Sequence, residues 1–211
     1  MDFENVYLQA MSIIKNITSL KKNLPSKVEL VAVSKTKPIE DLETAYIAGQ
    51  RIFGENKIQE MVSKWEQLPK DIQWHMIGHV QTNKVKFMAP FVDLIHAVDS
   101  LKLLKEIQKQ ALNNNRIIKC LLQIRIAKEE TKFGFPAEEI DSLIETSKSL
   151  PNIAISGLMG MASFTEDKQQ VRKEFMSLAT LFNKFTDLHK GCEILSMGMS
   201  GDYQIAIEEG S

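Results

Sequence analysis

The sequence has little of several features that mark specialised classes of protein. Only two of its 211 residues are cysteine, Cys120 and Cys192, and they lack metal-ligand spacing, which fits a reducing compartment. No apolar run approaches the roughly 20 residues that span a bilayer, and the acidic start M-D-F-E-N-V-Y lacks the basic region of a signal peptide. The net charge of -1 gives no basic surface for nucleic acid or membrane. We therefore expect a cytoplasmic protein that binds neither nucleic acid nor membrane.

The chain instead shows a regular alternation of apolar runs and amphipathic segments, without a low-complexity linker. A helical pattern follows each apolar run, and an additional amphipathic helix over 4–23 precedes the first. Such alternation is typical of a parallel sheet covered by helices. The apolar runs predict strands at 28–33, 51–56, 72–78, 94–99, 117–126, 153–160 and 193–199.

The number of repeats favours an α/β fold of the TIM (β/α)₈-barrel type, with an extra N-terminal helix and without an eighth strand. We expect residues 1–211 to form a single domain, which is long enough to bury a core without disulfide bonds. The chain stops at Gly210 and Ser211, where an eighth strand would begin. We therefore expect the first and seventh strands not to pair directly, because the chain is cut short or because the protein continues.

Lys35 follows the buried first strand directly, at the position where α/β folds keep their chemistry. A lysine at a strand end often only faces water, so the position alone does not assign its role. The segments after the strands lack the carboxylate clusters of a glycosidase and the ligand set of a catalytic metal. After the seventh strand, S-M-G-M-S-G-D offers serines and glycines that suit a phosphate. A lysine opposite a phosphate site is the arrangement that pyridoxal phosphate requires, with Lys35 forming a Schiff base in a dry barrel mouth that favours the neutral amine.

Four motifs then make the resemblance specific, and they occur in the same order over nearly the whole chain. They are A-V-S-K-T-K-P (32–38), F-G-E-N-K-I-Q-E (53–60), W-H-M-I-G-H-V-Q-T-N-K (74–84) and L-S-M-G-M-S-G-D-Y-x-x-A-I-E-E-G-S (195–211). The chain resembles the YggS/PROSC family of pyridoxal phosphate homeostasis proteins. The resemblance implies a single-domain barrel similar to the N-terminal domain of alanine racemase, with pyridoxal 5'-phosphate as the cofactor.

The resemblance also implies a set of cofactor-binding residues and no catalytic or metal-binding ones. It places pyridoxal phosphate on Lys35, Asn56 near the cofactor, Ser196 and Met197 along the pocket, and Ser200 and Gly201 at the phosphate. The family continues after E-E-G-S with a V-R-I-G-S/T strand. Its arginine meets the pyridine nitrogen, and its last residues complete the phosphate site. This sequence lacks that segment, so its affinity for the cofactor depends on whether the protein continues.

The resemblance implies a protein that holds and distributes pyridoxal phosphate without committed catalytic turnover. We expect a monomer whose recipients are pyridoxal phosphate-dependent apoenzymes. The alternative is a pyridoxal phosphate-dependent amino-acid racemase or a related enzyme. A two-base racemase needs a second acid/base opposite the lysine, which in alanine racemases comes from a C-terminal β domain for which this chain has no room. A Schiff-base aldolase or a phosphate-sugar binder forms a third class, and the four motifs argue against it.

Five other residues have both a functional and an ordinary interpretation. Lys84 and Lys132 are alternative attachment sites or phosphate contacts, or else solvated loop lysines. His75 and His79 either touch a ligand or are hydrogen-bonded histidines of the fold. Glu55 either orients a neighbouring lysine or acts as a base.

Overall fold

A computed structural model of the chain describes residues 3–127, 133–189 and 191–211. Its strands form one parallel sheet, in which every strand pairs with the next one along the chain. The strands are β1 (Ala32–Val33), β2 (Ile52–Glu55), β3 (Gln73–Met76), β4 (Leu94–Val98), β5 (Ile118–Gln123), β6 (Ile153–Met159) and β7 (Ile194–Ser196). Within the described residues β1 and β7 lie at the two ends of the sheet and do not pair with each other.

The sheet is curled into an open barrel. The side chain of His96 on β4 reaches that of Ser196 on β7 at 2.8 Å, although β5 and β6 lie between these two strands. Such a contact requires a strongly curved sheet with both side chains on its concave face. The architecture confirms the predicted α/β fold of the TIM-barrel type.

One helix precedes the first strand, a further helix follows each strand, and the helices cover the convex face of the sheet. They are α1 (Phe3–Asn23), α2 (Ile39–Ile47), α3 (Ile58–Gln67), α4 (Val85–Met88), α5 (Leu101–Asn113), α6 (Ile140–Ser147), α7 (Lys168–Leu188) and α8 (Tyr203–Glu208). Ser100 caps α5 by accepting a hydrogen bond from the N–H of Leu103 at 3.3 Å. Asp167 caps α7 in the same way, accepting from the N–H groups of Gln169 and Gln170. These caps satisfy N–H groups that the first turn of a helix leaves without partners.

All seven strands are shorter than their predicted ranges, and so is the helical segment after the third strand. The first strand has only two paired residues, because β1 has β2 on one side and no neighbouring strand on the other within the described part of the chain. The helical segment predicted after the third strand is a 3₁₀ turn, Thr82–Lys84, followed by the short α4, and Pro90 ends it. The strand predicted over 193–199 ends at Ser196, because Gly198 turns the backbone with a φ of 91°.

Apolar side chains fill the space between the sheet and its helices, and a smaller cluster lines the concave face. The larger cluster includes Phe53 and Trp74, which are almost fully buried. The smaller one joins Leu94, Leu121 and Met159, with Ile194 packed against them. No helix within the three described ranges is long and apolar enough to cross a membrane.

Candidate functional site

Lys35 lies in the turn that follows β1, at the carboxyl edge of the sheet. Its side chain is exposed and has no hydrogen-bond or ion-pair partner among the described residues. The exposure of Lys35 differs from the dry barrel mouth that the sequence predicts. The reason is that β1 lies at the end of the sheet, with a strand on only one side among the described residues, so the turn after it contacts solvent. The alternative lysine Lys132 lies outside the described residues. The other alternative, Lys84, has its ammonium 5.8 Å from the ring centre of Phe87.

The residues on either side of Lys35 are held by a network of charged groups. The hydroxyl of Ser34 donates to Oε1 of Glu55 at 2.7 Å, and the carbonyl of Ser34 accepts from the ammonium of Lys64 at 2.7 Å. The N–H of Thr36 donates to Oε1 of Glu60 at 2.6 Å. Thr36 has a φ of 63°, a backbone conformation that non-glycine residues adopt only when other contacts hold it. The network therefore fixes the backbone that carries Lys35.

Lys64 is the centre of this network. Its ammonium contacts Oε1 of both Glu55 and Glu60 at 2.7 Å, and the side chains of Lys64 and Glu55 are only 6% and 0% exposed. Burial raises the pKa of Glu55, and hydrogen bonds from Lys64 and Ser34 oppose part of that rise. Burial also opposes ionisation of Glu60, but hydrogen bonds from Lys64 and Thr36 lower its pKa overall. The neighbouring lysine that Glu55 orients is therefore Lys64, and none of the described residues pairs with Lys35.

Asn56, the second predicted residue, follows β2 and is half-buried. The backbone of Gly78, after β3, lies directly against it. A Cβ on Gly78 would come within 2.5 Å of the carbonyl oxygen of Asn56 and 2.7 Å of its Cα. Only glycine allows this approach, so the turn after β3 fixes the position of Asn56.

Ser196 and Met197 lie at the end of β7, and the structure separates their side chains. The hydroxyl of Ser196 faces the concave side, where it contacts His96. The side chain of Met197 is 9% exposed and packs in the core between the sheet and the helices. The predicted role of Met197 in lining the pocket stays a prediction.

The turn after β7 presents unused hydrogen-bond donors. The carboxylate of Asp202 accepts from the N–H of Met199, and the carbonyl of Met199 accepts from the N–H of Tyr203 at 2.8 Å. These bonds close the turn, and no acceptor in the described part of the chain pairs with the N–H groups of Ser200 and Gly201. Both residues are exposed, and a Cβ on Gly201 would meet nothing within 4 Å. Two main-chain donors and one hydroxyl thus face solvent here.

The two histidines that the sequence singles out, His75 and His79, both make hydrogen bonds to other side chains of the fold. His79 bonds through Nδ1 to the nearly buried carboxylate of Asp99 at 2.9 Å, and its ring stacks on that of Phe133 at 4.1 Å. His75 is buried and bonds to His96, a residue that the sequence analysis does not single out. No sequence motif marks His96, because its role follows from a contact between distant strands.

The donors at this edge fit a phosphorylated aldehyde. A free amine at Lys35 suits an aldehyde carbon, and the free N–H groups and hydroxyl of Ser200 and Gly201 suit a phosphate. Lys35 and Asn56 follow neighbouring strands, whereas Ser200 and Gly201 follow the last strand of the sheet. Among the residues that the structure describes, no group of three or more His, Cys, Asp or Glu side chains could hold a metal ion.

Comparison with known proteins gives the same assignment. Residues 8–209 match the family model of the alanine racemase N-terminal domain. The chain is 40% identical over 185 residues to the pyridoxal phosphate homeostasis protein of Aquifex aeolicus, covering 87% of this chain and 81% of that one. It is 34% identical over 216 residues to the protein of the same name from Pasteurella multocida, covering 100% of this chain and 93% of that one.

Solved structures show the same fold. PipY of Synechococcus elongatus with pyridoxal phosphate bound matches with a TM-score of 0.86 and 32% identity, over 94% of both chains. Alanine racemase from E. faecalis matches with a TM-score of 0.70 and 17% identity, over 92% of this chain and 52% of the racemase, which shows a shared fold alone. The chain therefore belongs to the pyridoxal phosphate homeostasis protein family, within the wider family of the alanine racemase N-terminal domain.

Proposed function

We propose that the chain binds pyridoxal 5'-phosphate and acts in its intracellular homeostasis. The observation that supports this most directly is the free amine of Lys35 at the sheet edge that also carries the unused donors of Ser200 and Gly201. The names of the relatives and the ligand of PipY agree with that chemistry.

Each predicted residue has a distinct task in this proposal. When bound, pyridoxal phosphate supplies an aldehyde that a neutral amine can attack and a phosphate that takes up hydrogen bonds. Lys35 is the attachment residue, held in place by its anchored neighbours Ser34 and Thr36. Ser200 and Gly201 donate to the phosphate. Asn56, Ser196 and Met197 contact the remainder of the cofactor.

The proposal extends to the setting in which the protein works. We infer a single domain over 1–211 that acts as a monomer in the cytoplasm and passes pyridoxal phosphate to dependent apoenzymes. The composition supports a reducing compartment, with two free and buried cysteines. The racemase alternative is tested by racemisation of alanine and serine above a blank that contains pyridoxal phosphate alone.

An absorbance titration with pyridoxal phosphate tests the binding proposal. The wild-type protein is expected to develop a saturable absorbance band, and borohydride is expected to bleach it and leave a stable adduct on Lys35 in peptide mass spectra. Lys35→Ala should abolish both signals. Lys37→Ala is the matched control, because Lys37 is an exposed lysine in the same loop. No band with the wild-type protein would overturn the proposal, and an adduct on Lys84 or Lys132 would overturn the role of Lys35.

A further inference from the structure

A chain of polar groups crosses the interior of the barrel and ends in the proposed cofactor pocket. It begins at Asp93, just before β4, whose carboxylate lies 3.7 Å from Nε2 of His75 on β3. Nδ1 of His75 lies 3.0 Å from Nε2 of His96 on β4. Nδ1 of His96 lies 2.8 Å from the hydroxyl oxygen of Ser196 on β7. Both rings are buried, so each nitrogen has only these partners in the described structure.

The far end of this chain is anionic. The neighbouring His75, aided by the charge of Lys119, lowers the pKa of Asp93 even though burial opposes this. The ammonium of Lys119 lies 3.9 Å from the same carboxylate. The distance is too long for a direct hydrogen bond, but a negative charge favours a proton on the nearer nitrogen, so in its neutral form His75 carries its proton on Nε2, towards Asp93. The opposite tautomer would place a nitrogen lone pair against a negative charge.

The direction of the remaining bonds follows from this tautomer. With its proton on Nε2, His75 can only accept at Nδ1, so the proton between the two rings belongs to Nε2 of His96. Burial and the neighbouring His75 lower the pKa of His96 to about 3, so His96 is neutral and has no second proton. Its Nδ1 is therefore an acceptor, and the hydroxyl of Ser196 donates to it.

We propose that His75 and His96 hold the hydroxyl of Ser196 as a hydrogen-bond acceptor, so that Ser196 recognises a proton-bearing nitrogen of the ligand and not its phosphate. A hydroxyl that has committed its only proton to His96 offers just lone pairs to the pocket. These lone pairs suit an N–H or ammonium group and repel a phosphate oxygen. This inference rests on the proposed binding of pyridoxal phosphate at this edge. It divides the site into two parts: the turn with Ser200 and Gly201, which binds the phosphate, and the hydroxyl of Ser196, which accepts a hydrogen bond from the ligand.

The tautomers of the two histidines can be measured without any ligand. Long-range ¹H–¹⁵N NMR of the histidine-labelled protein at pH 8, above the ordinary titration range of imidazole, distinguishes Nδ1–H from Nε2–H rings. We expect both His75 and His96 in the Nε2–H form. In Asp93→Ala, both rings should become mixtures of tautomers. A wild-type His96 with its proton on Nδ1, or tautomers that do not change in Asp93→Ala, would overturn the assignment.

Binding of two probes then tests the consequence for the ligand. Inorganic phosphate tests the turn after β7, and pyridoxamine 5'-phosphate adds an ammonium and a pyridine ring. Ser196→Ala should weaken pyridoxamine 5'-phosphate binding by about tenfold, the usual scale for one lost hydrogen bond, and leave phosphate affinity unchanged. Ser200→Ala should weaken both. Equal losses for both probes in Ser196→Ala would overturn the inference.

The two proposals fail in different ways. If wild-type protein binds neither phosphate nor pyridoxal phosphate, the proposed function is wrong, whereas the NMR tautomers still report on His75 and His96. If the wild type binds both ligands and His96 carries its proton on Nδ1, the proposed function stands and the acceptor role of Ser196 is wrong.

Discussion

Replacing Lys64 with methionine removes the positive charge from the network beside Lys35. Methionine retains much of the aliphatic volume but leaves the fully buried carboxylate of Glu55 without its cation. Breaking a buried pair by removing one partner costs about 3 to 5 kcal/mol, because the remaining charge is uncompensated. For a chain of 211 residues this loss corresponds to a fall in melting temperature of roughly 6 to 20 °C.

A double-mutant cycle separates the buried charge from other effects of the substitution. Glu55→Gln keeps an acceptor for the hydroxyl of Ser34 and removes the charge. We expect the double variant Glu55→Gln/Lys64→Met to recover most of the stability that Lys64→Met loses, because the fully buried charge is gone and the remaining carboxylate, Glu60, is partly exposed. Lys148→Met is the matched control, since Lys148 and its partner Glu145 are both largely exposed and should contribute little.

The pH dependence of the loss has a defined sign. In the wild type, Lys64 opposes the rise in the pKa of Glu55 that burial causes. Without Lys64, the pKa of Glu55 therefore lies further above its ordinary value. A carboxyl group whose pKa is raised in the folded state binds a proton there more readily than in the unfolded state. The free energy of unfolding therefore falls as the pH rises through the folded-state pKa. The loss caused by Lys64→Met should be larger at pH 8 than at pH 5.

Urea unfolding of the four proteins of the cycle, at both pH values, provides the measurement. The linear extrapolation gives the free energy of unfolding, and equal slopes show that the folded states remain comparable. A double variant as unstable as Lys64→Met would refute the argument, because the buried charge would not be the cause. A loss of the same size at pH 5 and pH 8 would contradict the proposed state of Glu55.

Two further predictions concern the backbone around the site. Gly78→Ala drives a Cβ into the backbone of Asn56 and should lower the free energy of unfolding by about 1 to 3 kcal/mol or more. Gly201→Ala is the control, because a Cβ there meets nothing within 4 Å, and it should change the free energy of unfolding by less than about 0.5 kcal/mol. Equal effects of the two variants in thermal melts would contradict the close approach of Gly78 to Asn56. Ser100→Ala removes the N-cap of α5 and should cost about 1 kcal/mol in urea unfolding, and full stability in that variant would show that the cap contributes nothing.

The sequence predicts the elements well because their signals are local. Apolar runs and helical spacing reproduce the order of strands and helices, and Lys35, Asn56, Ser200 and Gly201 all lie at the predicted carboxyl edge of the sheet. The length of β1 was not predictable from its apolar run, because pairing with a neighbouring strand decides how far a strand extends.

The contacts that organise the site are not visible in the sequence. The spacing of Glu60 and Lys64 by four residues on α3 is a readable signal for an ion pair. The contact of Glu55 with Lys64 depends on how α3 packs against β2, and the contact of His96 with Ser196 depends on the curvature of the sheet. The sequence also does not show that the side chain of Met197 packs in the larger core cluster.

The contact between His96 and Ser196 also has a consequence for the order of folding, since it joins residues that are 100 positions apart in the chain. Loop-closure entropy opposes such a contact until the intervening strands are in place, so it forms late. A nascent chain that has not yet reached β7 has Lys35 but lacks Ser196 and the free N–H groups of the following turn. The amine of Lys35 is therefore synthesised early, whereas Ser196 and the N–H groups of the turn after β7 join the site only when β7 pairs with β6.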